Sequence, residues 1–493
     1  MSWLFPSKLP VVHENYLRAA SPNERRCIVR ESLDFYRALL IGGVYEFSSP
    51  VDTSSIATFT PAVRQCIDNH AHLSITVANA QTESPSFHFC PRVDLNHHIQ
   101  VLQADESDVT KETEGQIIER VLPQILDSKW PSDLPPWKVV VLPFSKTRCF
   151  ISFSFSHSLA DGTSGLAFHN TFINALVQQT VSESQIQAKD TMIHTPKKLP
   201  LSPPFDTAQN LPISWSFLLA PLLAMFLPSS LGFKSHINPI TSKTWTGSSM
   251  FYSPETFKTN ARILSIDVVA VDRALKTCRA NGVKLTGLIH QFIVVALFES
   301  FPDPQKYDNL AAQTAIDMRQ LVNTSKEEMG LYVSGEKQIL QAPQKTDQGA
   351  EALWEAAKLT TQKLAAAVSR RQDHAVGLLR YLNNMHSWTK AKIGERRDAS
   401  YEVSNLLSFR PQPGASSASE DGPGCSIVGM VFAQPADATG APLSFNIVSV
   451  ANGPLVIAIT WQAGALDVEP KIREADFVDK ICDNIKGSFD NLG

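Results

Sequence analysis

The stretch CFISFSFSHSLADGTSGLAFHN, residues 149–170, changes its period in the middle. Phe150, Ser152, Phe153 and Phe155 belong to a run of aromatic and small residues of strand length. From Gly162, Thr163 and Ser164 onward, Leu166, Phe168, Phe172 and Ile173 follow helical spacing. His157 therefore falls where a strand ends. A histidine there is either a hydrogen-bonded structural residue or a ring presented to a cleft from a rigid backbone, as a general base requires. Asp161 and Gly162 occupy the turn that follows. Glycine suits the tight return into the helix. A buried aspartate needs a basic partner or backbone amides, so Asp161 is expected to hold structure rather than do chemistry.

Working outward, the 493 residues are too many for one core and suggest two or three domains, two being comfortable at about 200 to 250 residues each. A hydrophobic content of 43% with 19% charged residues describes a globular chain, and a net charge of −4 argues against nucleic acid as a partner. Basic residues are scattered, and the pairs Lys197-Lys198 and Arg370-Arg371 read as solvated faces. The seven cysteines are odd in number and widely spaced, without a Cys-x-x-Cys or a secretory leader pattern, which points to a reducing, cytoplasmic compartment. His70 with His72, and His97 with His98, lack further ligands at metal-binding spacing, so no metal is expected.

In chain order, Ser21 and Pro22 start a helix that leads into a strand ending near Phe47. Thr60 and Pro61 open a second helix, and Leu73 to Val77 pairs with Phe87 to Phe89 as a hairpin. Ile117 to Leu126 has helical period despite Pro123, and Val139 to Leu142 forms the strand just ahead of the one ending at His157. Between Thr207 and Phe233 lies an uncharged stretch cut by Pro212, Pro221 and Pro228. Those prolines and the interleaved serines disfavour a spanning helix, and leave a crossover lying on the protein or a segment, 211–233, touching a membrane surface. The expected division is 1–205, a linker over 206–244, and 245–493. In the second half, Thr286 is expected to cap an apolar, buried helix, TAIDMR (314–319) to be a short strand followed by a loop over Gly330 to Ser334, and YEVSNLLSF (401–409) a strand. Pro411 to Gly424 reads as a low-complexity loop, Ser444 to Trp461 as a hairpin turning at Asn452-Gly453, and Pro470 as the start of a closing helix.

The pattern His157-x-x-x-Asp161-Gly162 resembles the signature of the CoA-dependent acyltransferases related to chloramphenicol acetyltransferase, which include the plant acyltransferases and condensation domains. With Trp245-Thr246-Gly247, ANGVKLTGLIH (280–290), TAIDMR, YEVSNLLSF and NIVSVANGPLVIAITWQAG (446–464), it resembles, in order over nearly the whole chain, a fungal alcohol acetyltransferase. The plant branch's Asp-Phe-Gly-Trp-Gly block is missing, and Leu407 stands where the family usually has glycine.

The resemblance implies an α/β protein of two chloramphenicol-acetyltransferase-like domains, each a mixed sheet with helices, packed with an active-site tunnel between them. It implies an acyl-CoA-dependent O-acyltransferase, with acetyl-CoA or another acyl-CoA as co-substrate, no permanently bound cofactor, a small hydroxylated acceptor and a monomeric chain. His157 would be the general base in a direct transfer without an acyl-enzyme. Asp161 would turn away to an arginine, for which Arg319 is the candidate, with Gly162 shaping the turn. Ser404 and Asn405 are candidate oxyanion or substrate contacts. CoA-binding residues are not assigned. Two alternatives stand beside this reading: N-acylation or condensation with a carrier-bound acyl group, and a binding homologue without chemistry.

Overall fold

The computed structural model describes residues 14–103, 112–178, 191–195, 200–219, 240–343, 349–412 and 424–492. The strands that carry its two large sheets are β1 (Ala38–Phe47), β2 (Ile99–Val101), β3 (Trp137–Ser145), β4 (Arg148–Ser156), β5 (Thr244–Trp245), β6 (Thr259–Ile266), β7 (Asn309–Asp317), β8 (Val333–Gln341), β9 (Tyr401–Phe409), β10 (Cys425–Ala433), β11 (Leu443–Val450) and β12 (Leu455–Gln462). The helices used below are α1 (Pro22–Ser32), α2 (Ile56–Asn69), α3 (Glu114–Leu126), α4 (Gly162–Gln178), α5 (Val268–Ala280), α6 (Leu285–Ser300), α7 (Gly349–Ser369), α8 (Met385–Lys390) and α9 (Glu474–Asp490).

The first sheet has five strands in the order β10-β1-β4-β3-β2, antiparallel except where β2 meets β3. Side chains on β4 alternate between its faces. Ile151, Phe153 and Phe155 join a core with Phe168 and Phe172 of α4, while Phe150 turns to the opposite core with Leu40, Val140 and Ile117 of α3. The Phe153 and Phe168 rings stack at 4.1 Å and 6°, which fixes α4 on the strand that delivers His157. A Cβ on Gly165 would sit 2.5 Å from Ile41 Cδ1, so this close approach of α4 to β1 requires glycine. Burying Phe153, Phe155, Phe168 and Phe172 contributes roughly 1.5–3 kcal/mol each.

The second sheet has seven strands. Six follow the order β5-β7-β9-β11-β12-β6, and β8 pairs with β7 off that path. The β5-β7-β9-β11 pairs are parallel and the β11-β12-β6 and β7-β8 pairs antiparallel. The buried helix α6 packs Leu288, Ile289, Phe292 and Ile293 into the core beneath it, with Phe477, Ile481 and Ile485 of α9. The two halves are not independent. β10 belongs by sequence to the 245–493 segment, yet it pairs with β1 over Cys425↔Phe47 to Ala433↔Leu40 and completes the first sheet.

Several expected boundaries move, each for a visible reason. α2 begins at Ile56 rather than at Thr60-Pro61, because the fully buried Phe59 anchors a turn ahead of the proline. Pro123 lies inside α3, whose buried stripe Ile117, Ile118, Leu122, Ile125 and Leu126 outweighs the lost hydrogen bond. Thr286 does not cap α6, whose N-cap is Lys284; its hydroxyl instead accepts a bond from Asn405 Nδ2 at 3.1 Å. The loop expected over Gly330 to Ser334 gives way at Val333 to β8, a strand whose alternation is diluted by Gly335, Glu336 and Lys337. α9 starts at Glu474 rather than Pro470, because the Glu474 carboxylate receives the Gly464 and Leu466 N–H groups and ties down the preceding loop. Much of the apolar stretch (220–239) and of the low-complexity loop (413–423) lies outside the described residues. Among the described residues, no single helix is long and apolar enough to cross a membrane.

Candidate active site

His157 is the first residue after β4. Its Nδ1 lies 2.8 Å from Ala160 O. A carbonyl only accepts, so Nδ1 carries the proton and Nε2 keeps its lone pair. The half-buried ring stacks on Tyr36, with centroids 5.9 Å apart and 29° between planes. Burial, then the charges of Arg30 and Arg26, push the imidazole down to about 4 against the opposing pull of Ala160 O and Asp161. The ring is neutral throughout the physiological range.

Tyr36 is itself held from both halves. Its hydroxyl donates to Gln434 Oε1 at 2.7 Å, and Gln434 Nε2 donates to Asn446 Oδ1 on β11 at 2.9 Å. The Arg30 guanidinium lies 4.3 Å from the Tyr36 ring centre and pairs with Asp437 at 2.8 Å. On the other side of the turn, the Ser156 hydroxyl donates to Glu31 Oε2, and the Ser156 and Ser158 hydroxyls are 2.6 Å apart. Burial pushes the Glu31 carboxyl up to about 7, the Ser156 hydrogen bond opposing it. Two serines flanking the histidine are thus joined to one half-buried carboxyl on α1.

Asp161 points away from the histidine ring. Its carboxylate receives Arg319 Nη1 at 2.8 Å and Nη2 at 3.0 Å, Tyr332 N at 2.9 Å, and both the N–H and the hydroxyl of Ser164 at 2.9 Å. Burial opposes ionisation, but the Arg319 charge and these donors outweigh it and hold the carboxyl below its ordinary value. Arg319, 1% exposed, further donates to Ser164 Oγ and Glu328 O at 3.0 Å and to Asp317 at 3.2 Å. The pair joins residues 158 apart in sequence and clamps the histidine turn to the end of β7.

Gly162 begins α4 beneath β9: a Cβ there would lie 2.5 Å from Leu406 Cδ2. This contact brings the 404–406 segment to the histidine turn. Neighbouring residues on a strand face opposite ways. Ser404, 9% exposed, shares the face of Leu406, and its hydroxyl has no hydrogen-bond partner among the described residues. Asn405 faces α6; besides donating to Thr286, it accepts the Leu407 N–H at 2.8 Å. Its Oδ1 and one Nδ2 hydrogen are therefore used on the α6 side, away from the face that carries Ser404. Leu407 takes φ +64 at a bulge in the β9-β11 register, the left-handed conformation a glycine adopts freely.

Sequence reasoning missed Glu31, Tyr36 and Gln434. Arg26 and Arg30 were legible only as two cations four residues apart on one helix face. A solvent-lined groove of about 740 Å³, walled by Glu119, Arg120, Asp127, Lys258, Arg262 and Trp461 among others, lies between α3 and β6 and takes no wall from the His157 turn.

The alcohol acetyltransferase family model matches residues 98–484. The chain is 25% identical to a protein named probable alcohol acetyltransferase FCK4 of Fusarium pseudograminearum, covering 98% of this chain and 97% of that protein. It is 22% identical to probable alcohol acetyltransferase crmB of Aspergillus fumigatus, over 86% and 89%. Among solved structures it is similar to the TRI3 trichothecene 15-O-acetyltransferase from Fusarium sporotrichioides, with a TM-score of 0.66 and 12% identity over 99% of this chain and 100% of that one. The first condensation domain of the calcium-dependent antibiotic synthetase is similar at a TM-score of 0.59 and 10% identity, over 96% and 97%. These two likenesses establish the two-lobed acyltransferase and condensation-domain fold. With a family model matched across most of its length, the chain is an acyltransferase and belongs to the alcohol acetyltransferase family, whose members use acyl-CoA and an alcohol.

Proposed function

We propose that His157 is the general base of direct acyl transfer from an acyl-CoA thioester, acetyl-CoA by preference, to the hydroxyl of a small alcohol or natural product. Nε2 accepts the hydroxyl proton as the oxygen attacks the thioester carbonyl carbon. The tetrahedral intermediate collapses with cleavage of the C–S bond, and the proton passes from Nε2 to the leaving thiolate. Ester and free CoA are formed without an acyl-enzyme. The observation that carries this reading is the Nδ1 hydrogen bond to Ala160 O, which leaves Nε2 as the open lone pair. Ser404 Oγ and backbone N–H groups near Gly162 serve as oxyanion donors, each worth about 10²–10³ in rate. Asp161 and Arg319 are positioning residues that hold the turn. The reading carries a monomer acting in the cytoplasm, which the seven free cysteines suit. It also keeps a membrane surface as a neighbour of residues 211–233, beside the exposed Trp215 and Leu219.

The test is thiol release and product mass with acyl-CoA donors against matched alcohol and amine panels, for the wild type, His157→Ala and His157→Gln. Ester formation by the wild type and a loss of about 10³ or more in both variants is expected. Full transfer by His157→Ala, or amide products in place of esters, refutes the assignment.

A further inference from the structure

α1 turns one face toward the second half of the chain. Asn23, Arg26 and Arg30 recur on it at spacings of three and four. Asn23 Nδ2 donates across to Val333 O at 3.2 Å, and Arg30 reaches Asp437 at 2.8 Å while lying over the Tyr36 ring that stacks on His157. Arg26, one turn ahead of Arg30, has no such partner. Its Nε donates to Asn23 Oδ1 at 3.2 Å, and neither Nη group is engaged by any described residue.

The carboxyls that act on Arg26 are committed elsewhere. Asp437 is held by Arg30, and Glu402 accepts from Gln434 and Gln313, with burial raising its carboxyl above the ordinary value. Burial and then the Arg30 charge depress Arg26 itself, and its charge is felt at the His157 ring. Arg26 is half-buried with both Nη groups unengaged by the described residues, so an anionic group entering beside it would find a ready bidentate partner. The CoA phosphates do not suit that part, because the pantetheine arm holds them well away from the thiol that must reach His157. The reacting end of CoA is neutral, so an anion paired with Arg26 near His157 belongs to the acceptor.

We propose that Arg26 recognises a carboxylate on the alcohol acceptor, its two free Nη groups binding that group so that the acceptor hydroxyl is aimed at His157. This rests on the acyl-transfer reading above and names the acceptor class: hydroxy acids in preference to their neutral esters. A planar guanidinium matches a carboxylate bidentately, which sets direction as well as affinity.

The experiment uses the full-length protein and a matched series of hydroxy acids and their methyl esters, with acetyl-CoA as donor. The wild type is expected to favour each well-fitting acid over its ester by about tenfold or more in kcat/KM, the range of a charge-assisted hydrogen bond. Arg26→Met is expected to lower the acid-to-ester ratio to about one, and Arg26→Lys to restore part of it. An unchanged ratio in Arg26→Met, or a rise confined to the KM for acetyl-CoA, overturns the proposal. Equilibrium binding of the same compounds to His157→Ala protein reads recognition without turnover. Tighter binding of the acids that disappears in His157→Ala/Arg26→Met supports the proposal even where no ester is formed, an outcome that would instead sink the acyl-transfer roles. Equal binding of acid and ester, or no binding of the acids, overturns it and leaves acyl transfer untouched.

Discussion

Replacing Arg319 with methionine removes the cation from a carboxylate that no other cation among the described residues pairs with. Asp161 would keep the Tyr332 N–H and the two Ser164 donors but lose both guanidinium bonds, at 2.8 and 3.0 Å, inside a site where Asp161 is 4% exposed. Breaking a buried pair from one side in this way costs about 3–5 kcal/mol. Asp161→Asn is milder, about 2–3 kcal/mol, because Arg319 retains Asp317 at 3.2 Å and the Glu328 carbonyl at 3.0 Å. The double variant Asp161→Asn/Arg319→Met buries no uncompensated charge, so its loss should fall short of the sum by about 2–3 kcal/mol. Urea unfolding at pH 7 with unchanged m-values measures all three.

The pH dependence gives a second reading of the same pair. Asp161 ionises below its ordinary value of 3.8 in the fold, so its contribution is fully present above that value and disappears as pH falls through the folded one. Arg319→Met should remove that acid-side slope. A loss below about 1 kcal/mol in Arg319→Met, or single losses that simply add, would refute the view that this pair clamps the two halves at the histidine turn.

Three further outcomes are expected. Leu407 holds φ +64 while 60% exposed, so Leu407→Gly relieves left-handed strain of about 1–2 kcal/mol, partly offset by chain entropy, and should raise the thermal midpoint; a destabilised variant argues against the strain. Glu31 titrates at about 7 in the fold against an ordinary 4.5, so its contribution is fully present below 4.5 and is lost as pH rises through 7, at most about 3 kcal/mol. Glu31→Gln should therefore flatten the stability profile between about pH 5 and 8, and an unaltered slope in urea titrations rules Glu31 out as its source. Gly162→Ala sets a Cβ 2.5 Å from Leu406 Cδ2 and should lower kcat about tenfold or more, with Leu406→Ala in the same chain restoring most of it; failure of that rescue means the contact does not govern the turn.

What could be read from the sequence follows from the range of the interactions involved. The strand-to-helix switch around His157 was legible because the apolar period changes between Phe155 and Leu166, and β4 and α4 meet there as expected. The contact of Asp161 with Arg319 left no local trace; only the resemblance suggested it, and the bidentate bond is a product of the fold. Ser404 and Asn405 are a different case, since strand alternation alone sets neighbouring residues on opposite faces and only the fold shows which face meets the histidine turn. Tyr36 and Gln434, 398 residues apart, meet at the histidine through sheet packing that no window of sequence contains. The run CSIVGMVFA is assigned no element from the sequence, and nothing in it says that it pairs with β1 rather than with its neighbours in the second half.

That borrowed strand also dictates an order of events during synthesis. The ribosome releases β1, β3 and β4 long before residues 425–433 exist, so for most of translation the nascent first sheet offers the open edge of β1, including Leu40, Ile41 and Val44, as an unpaired template. A fragment of residues 1–205 keeps that edge for its whole life. Expressed alone, it is expected to self-associate through β1, and a peptide spanning 425–433 supplied in trans should suppress that association by taking the vacant place.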